Sequence, residues 1–373
     1  MILCFVESDR QEVLIEHCHD MAADEKVKGL FLLACDGNDY DPSWLSPKLQ
    51  DIALPLFGGT FPGIIHGRVR HEKGALILGL SKAPAICSIP GLSLQQQDFE
   101  TAIAQSFPDA GDAQTLIVLV DGLARRISGL IEGLFNHFGL EFNYIGGGAG
   151  SLSMVQQPCL FTNAGMVQDH AVLALLEAES GVGVRHGWEP LAGPFQITES
   201  RHNVVVSIDF QPAFEIYRRT VEPHLGREIT VENFFEMAKN HPLGLAKLGA
   251  ERLVRDPAAL TPDGGIQCVG EVPEGSYFHI LTGSAASLVD AARCAMESAC
   301  SEYPGTPDEK PTFFFDCISR VLYLEDHFQQ EIDAVQRPGA PLVGALTMGE
   351  IGCSGRDYLE FYNKTSVVGI LDV

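Results

Sequence analysis

Residues 313–321 read FFFDCISRV, and residues 116–126 read LIVLVDGLARR. In each stretch an apolar run meets an aspartate, and an arginine stands four residues beyond it. An apolar run of this length is a buried strand, and charged residues at its end are presented where the sheet stops. Asp121, Leu123, Ala124 and Arg125 keep the same order as Asp316, Ile318, Ser319 and Arg320. A helix with one apolar face follows each. After the first strand, Ile127, Leu130, Ile131, Leu134, Phe135 and Phe138 share that face, and Gly139 holds the C-cap position. Each helix leads to an apolar strand that breaks at a glycine, Gly146 or Gly344. A loop then reaches Phe161-Thr-Asn163 or Phe361-Tyr-Asn363. This ordered set predicts an internal duplication that matches Asp121 with Asp316 and Asn163 with Asn363. LPLFGGTFPGI (54–64) looks like a third copy of the glycine turn alone.

Outward from these units, the same alternation continues. ILCFV opens the chain as a strand, a helix covers about Asp9 to Lys26, and GLFLLACD returns as a strand. HEKG (71–74) closes a hairpin into ALILGL, and residues 92–112 are a polar stretch. VVVSIDFQPAFEIYRR is a strand running into a helix, with Pro212 suited to its first turn. A further helix covers about Ser287 to Cys300. The pattern predicts an α/β fold of two related domains, each a mixed sheet flanked by helices. At 373 residues, two domains are the natural division. The boundary is expected near residue 200, giving 1–200 and 201–373.

Charge narrows the partners. Acidic residues number 49 against 25 basic ones, a net charge of −24. Such a surface repels phosphate backbones and anionic lipid headgroups, so neither nucleic acid nor membrane is an expected partner. MILCFVESDR has no basic leader, and no apolar run approaches a membrane span. Ten cysteines occur without a CxxC pair, the usage of a reducing cytoplasm. No cofactor is expected. GGGAGS places Ser151 where a dinucleotide motif needs its last glycine, and no Walker lysine follows. No metal is expected either, since His17 and His19 of EHCHD diverge on a helix.

In open α/β sheets, ligands bind beyond the carboxyl ends of strands. Asp121, Arg125, Asp316, Cys317 and Arg320 fall there, as do the glycine turns with Gly147 and Gly148. Glycine turns let backbone N–H groups approach an anion, and a guanidinium beside them suits a carboxylate. The competing account is that each arginine pairs with its own aspartate and caps the helix. Cys317 has three readings: a thiol that only packs, a redox-sensitive or ligand-touching thiol, or a catalytic nucleophile. Arg320 and the following helix N-terminus favour its thiolate, whereas an apolar surround opposes it.

VVVSIDFQPAFEIYRR, YFHILTG, FFFDCISR with its downstream Glu331, and GALTMGEIG…FYNKTSVV resemble, in order, the FIST C-terminal domain. GLFLLACD, LPLFGGTFPGI, LIVLVDG, IGGGAGS and FTNAGMV resemble the FIST N-terminal domain. The resemblance implies a sensory module of signal transduction that binds a small ligand such as an amino acid and acts through a signalling partner. The expected ligand contacts are Asp121, Arg125, Gly147, Gly148, Asn163, Asp316, Cys317, Arg320, Thr347 and Glu350. The alternatives are an enzyme using Cys317 and an interaction scaffold without a ligand. Two positions depart from the family pattern, Ser319 and Phe210, each where glycine is usual; either would narrow a pocket or alter a turn.

Overall fold

Strand pairing reveals three copies of one unit, where the sequence suggests two and a fragment. The computed structural model describes residues 1–108, 110–247, 252–353 and 358–373. The first unit runs β1 (Ile2–Val6), α1 (Gln11–Ala22), β2 (Gly29–Cys35), α2 (Pro42–Gln50), β3 (Leu56–Phe61), β4 (Gly63–His66), β5 (Val69–His71) and β6 (Ala75–Leu80). The second repeats this order as β7 (Ala85–Pro90), α3 (Phe99–Ser106), β8 (Thr115–Asp121), α4 (Ile127–Phe138), β9 (Asn143–Ala149), β10 (Leu160–Thr162), β11 (Gly165–Val167) and β12 (His170–Leu176).

The third unit opens with β13 (Ser180–Arg185) and then takes an insertion. The insertion holds β14 (Glu189–Arg201), β15 (Val204–Ile208), β16 (Gln211–Pro212), α5 (Ala213–Leu225), α6 (Phe234–Ala238), β17 (Leu243–Leu245), β18 (Leu253–Leu260), β19 (Ile266–Val269) and β20 (Tyr277–Thr282). The unit resumes with α7 (Ala285–Glu302), β21 (Thr312–Cys317), α8 (Ile318–Leu324), α9 (Phe328–Val335), β22 (Leu342–Thr347), β23 (Glu350–Cys353), β24 (Glu360–Tyr362) and β25 (Ser366–Leu371).

Each unit pairs its two central strands in parallel: β2 with β3, β8 with β9, β21 with β22. Each then sends its hairpin into a different unit's sheet. Hairpin β4–β5 pairs with β22, β10–β11 with β3, and β23–β24 with β9. The three six-stranded sheets are therefore completed in a ring. Their inner faces share one interior, a three-sided prism in which Phe31 stacks on Phe57 at 4.5 Å and meets Phe313 of the third unit at 6.3 Å. Alternation along the strands decides the rest. Leu30 and Leu32, Leu116 and Val118, and Phe314 turn outward under the helices that flank each sheet.

The glycines expected as turns lie inside strands. Gly58, Gly146 and Gly344 stand opposite Leu32, Val118 and Phe314 in the three parallel pairs. A Cβ at these positions would sit 2.0, 2.0 and 1.9 Å from the partner strand's carbonyl oxygen. No side chain fits there, so the sequence shows a glycine where the strand continues. HEKG likewise closes no hairpin, because it carries the chain from β5 in the third sheet to β6 in the first. The polar stretch before β8 contains α3, whose Phe99 and Ile103 pack against α4. Gly139 does end α4, with φ 61°.

The insertion closes on itself. Strands β14, β20, β17, β18, β19 and β15 pair antiparallel in sequence around a ring, and β14 also pairs β15. This makes a small barrel, its interior filled by Ile197, Val205, Phe278 and Ile280 with Tyr217 of α5. Residue 200 lies within β14. Phe210 does not narrow a pocket: with Asp209 it forms the β15–β16 turn, both at positive φ, and its ring is 86% exposed. Among the described residues, no helix is long and apolar enough to cross a membrane.

Candidate functional site

The register fixes which residues occupy equivalent corners at the carboxyl ends of the parallel strands. Cys35 stands opposite Phe61, Asp121 opposite Ala149, and Cys317 opposite Thr347. Asp121 thus corresponds to Cys317, one residue away from the expected match with Asp316. Counterparts of Asp316 are Ala34 and Val120, of Glu350 Ile64 and Leu160, and of Ser366 Ala75 and Ala171. The fold builds this corner three times. Twice these positions are apolar, and only the third unit fills them with Asp316, Thr347, Glu350 and Ser366. The backbone arrangement therefore does not require these polar groups, which are all fully buried.

Two layers of polar contacts make up the third corner. On the helix side, Arg320 donates from Nε to Glu331 Oε1 at 3.1 Å, with Asp316 Oδ1 at 3.2 Å. Its Nη1 donates to the carbonyls of His186 at 2.6 Å and Lys364 at 3.1 Å. Its Nη2 donates to the Leu288 carbonyl at 2.9 Å and to Glu331. A guanidinium has five N–H donors, and all are engaged. Arg320 has none left for a ligand carboxylate in this arrangement, so the pairing account of this residue is the one the geometry carries. Burial and the facing Glu331 push Asp316 well above the usual carboxylate range. Burial likewise raises Glu331, while Arg320 pulls it back.

On the strand side lie Cys317, Glu350, Thr347 and Lys364. Thr347 Oγ1 is 2.8 Å from Glu350 Oε1 and 3.2 Å from the Asp316 carbonyl. The Thr365 N–H donates to Glu350 Oε2 at 3.2 Å. Burial, opposed by these bonds and the Cys317 thiol, raises Glu350 to about 8. Glu350 thus accepts from the Thr347 hydroxyl and the Thr365 N–H. The Cys317 thiol is only 3% exposed and is pushed well up by burial and by Glu350. Helix start and Arg320 were expected to favour its thiolate; burial outweighs the first, and the second is saturated. The charged groups acting on this thiol are Glu350, Lys364, Asp256 and Arg320, none of them a histidine.

Lys364 is the residue that strand-end reasoning missed. Its side chain is fully buried, and its Nζ lies 3.2 Å from Asp256 Oδ2 yet forms no hydrogen bond. Its backbone is left-handed at φ 51°, a strain of about 1–3 kcal/mol that persists where surroundings overrule it. Those surroundings are visible. The Lys364 carbonyl accepts from Arg320 Nη1 and from Trp188 Nε1 at 3.2 Å, and the Trp188 ring lies 5.4 Å from Nζ. Asp256 comes from barrel strand β18 and also accepts from Ser319 Oγ at 2.8 Å. Asp256 Oδ1 and Asn363 Oδ1 are buried without a hydrogen-bond partner. The sequence signal was a lysine inside YNKTS, a polar turn between two strands.

The remaining expected contacts separate. Asp121 is saturated by the N–H groups of Leu123 and Asp169 and by Gln156 Nε2, at 3.1, 2.7 and 2.8 Å. Arg125 is exposed; it does not pair with Asp121, and its own N–H donates to Ser93 Oγ. Gly147 and Gly148 form no open anion cradle, because they are ladder residues of β9 and the Gly148 N–H donates to the Gly349 carbonyl at 2.8 Å. A Cβ at Gly147 would lie 2.8 Å from Thr347, so these glycines let the corner's backbone close. Asn163 ties the β10–β11 turn to the Leu56 N–H at 2.8 Å. It sits one hairpin strand before the position of Asn363, not opposite it.

A family model described as the FIST N domain matches residues 29–211, and one described as the FIST C domain matches residues 213–353. No curated protein matches the chain.

Proposed function

Because the chain belongs to the FIST family, whose domains are sensory domains of signal transduction, we propose that it senses a small ligand at the third-unit corner. The favoured ligand is an amino acid or related small carboxylate. One observation carries this reading: of three equivalent corners, the third alone holds a buried cation among carboxylates, and its lysine ammonium, 3.2 Å from Asp256, makes no hydrogen bond. A buried ammonium without hydrogen bonds costs more than the fold needs to give up. A ligand carboxylate on Nζ would relieve that cost, and the bare oxygen of Asn363 suits a ligand's N–H donor. Arg320 serves by fixing the Lys364 backbone. A signalling protein receives the signal by contact.

A thermal-shift screen of amino acids and short carboxylates tests the reading. A ligand at a hundredfold its Kd adds about 2.7 kcal/mol, a shift of several degrees. Lys364→Met, which keeps the side-chain length, is expected to fold and to lose the shift. A shift that survives in Lys364→Met, or a screen in which nothing shifts the wild type, removes the reading.

A further inference from the structure

Among the described residues, the barrel has no counterpart in the other two units, and it brings Asp256 to the third-unit corner. The chain enters the barrel through Trp188 and leaves it through Gly283, and these linkers touch. A Cβ on Gly283 would lie 2.9 Å from the Trp188 ring. Tyr323 braces both, donating to the Gly283 carbonyl at 2.7 Å and meeting the Trp188 ring edge-on at 5.0 Å. Two short linkers side by side form a hinge. Across the joint the barrel is held by Val254 and Leu281, which are buried in the third unit's core, by Arg255 Nη1 on the Phe361 carbonyl at 2.9 Å, by the Lys247–Glu360 ion pair, and by Asp256 on Ser319 and Lys364. Only the Asp256 contacts reach into the corner itself.

We propose that Asp256 is a latch between barrel and prism, released when a carboxylate takes Lys364. The inference rests on the site reading above. A carboxylate arriving on Nζ competes with Asp256 Oδ2, which lies 3.2 Å from it and makes no hydrogen bond to it. Lys364 is the side that stays, because Arg320 and Trp188 both bind its carbonyl. Asp256 is the side that moves, since its other bond is to the Ser319 hydroxyl alone. Loss of Asp256 from Lys364 also strains its bond to Ser319, so the β18 edge of the barrel loosens where it meets the corner. The signal then leaves the site through the loosened β18–β24 joint.

The experiment uses the full chain with Trp44→Phe, which leaves Trp188 as the sole tryptophan beside Lys364. Sodium acetate is the probe, with sodium chloride at equal ionic strength as control. Acetate is expected to shift Trp188 emission and to raise hydrogen exchange in peptides covering β18 and β24. Asp256→Asn is expected to show that raised exchange without acetate, to bind acetate about tenfold more tightly, and to gain no further exchange from it. Ser319→Ala, which removes one of the two latch contacts, gives an intermediate exchange level should Asp256→Asn fail to fold. Wild-type exchange at the joint in both variants overturns the latch while leaving the site intact. Acetate without effect on Trp188 in the wild type and in Asp256→Asn overturns the site reading and the latch with it.

Discussion

Replacing Arg320 by alanine is expected to unfold the protein rather than blunt a binding site. The side chain is fully buried and engages all its donors, on the Glu331 carboxylate and three carbonyls, with the Asp316 carboxylate 3.2 Å away. Removing one partner of a buried ion pair costs about 3–5 kcal/mol, because the other charge stays behind. Here two carboxylates stay behind. The Leu288 and His186 carbonyls also lose a donor, at about 1–3 kcal/mol each where water does not replace it. The sum is comparable to the 5–15 kcal/mol that holds an ordinary domain together. Arg125→Ala is the control, since an exposed arginine of this kind changes stability by less than about 0.5 kcal/mol. Urea denaturation followed by circular dichroism compares them. An Arg320→Ala midpoint indistinguishable from that of Arg125→Ala would refute the reasoning, and Arg320 would return as a residue free for ligand.

Glu350 makes stability depend on pH. Its folded value of about 8 lies above the ordinary 4.5, so its contribution is complete below about 4.5 and is lost as pH rises through 8. Glu350→Gln is expected to flatten the decline over that interval; denaturation midpoints at pH 5, 7 and 9 measure it, and an unchanged slope denies that the carboxyl is protonated. Mild alkylation of the native protein, read by peptide mass spectrometry, should label the partly exposed Cys4, Cys294 and Cys300 well before Cys317. Early labelling of Cys317 would mean the corner opens to solvent far more readily than its packing allows.

Legibility followed the size of the side-chain signal. Periodicity and caps placed α4, β8 and β21 because an apolar face or run is written in consecutive residues. The third copy was hidden for two reasons. The first unit ends its parallel strands on Cys35 and Phe61, with none of the acid–arginine pattern that marked the other two. The barrel, in turn, stretches the third unit far beyond the others. The glycines were visible but misread, since a residue excluded by a neighbouring carbonyl looks the same in sequence as one required by a turn. At the site, Asp316, Cys317, Arg320, Thr347 and Glu350 were found together. The roles of Arg320 and Lys364 were not readable, because which cation is saturated depends on carbonyls from residues 186, 288 and 364. Sequence spacing carries no trace of those.

The ring of exchanged hairpins has a consequence for how the chain is made. His66 in β4 pairs with Val343 in β22, 277 residues later in synthesis (343 minus 66). At about 5–20 residues per second, β4 waits roughly 15–55 s on the ribosome for its neighbour. The first sheet can be complete once β11 has emerged, while its own unit's hairpin hangs from it as an unpaired edge. Such an edge is a template for pairing with another nascent chain. The short β4 and β5, with Arg68, Arg70, Glu72 and Lys73 at and around them, present charge along that waiting segment. A cut between the two family domains would make the wait permanent, and each half would carry strands whose partners are on the other.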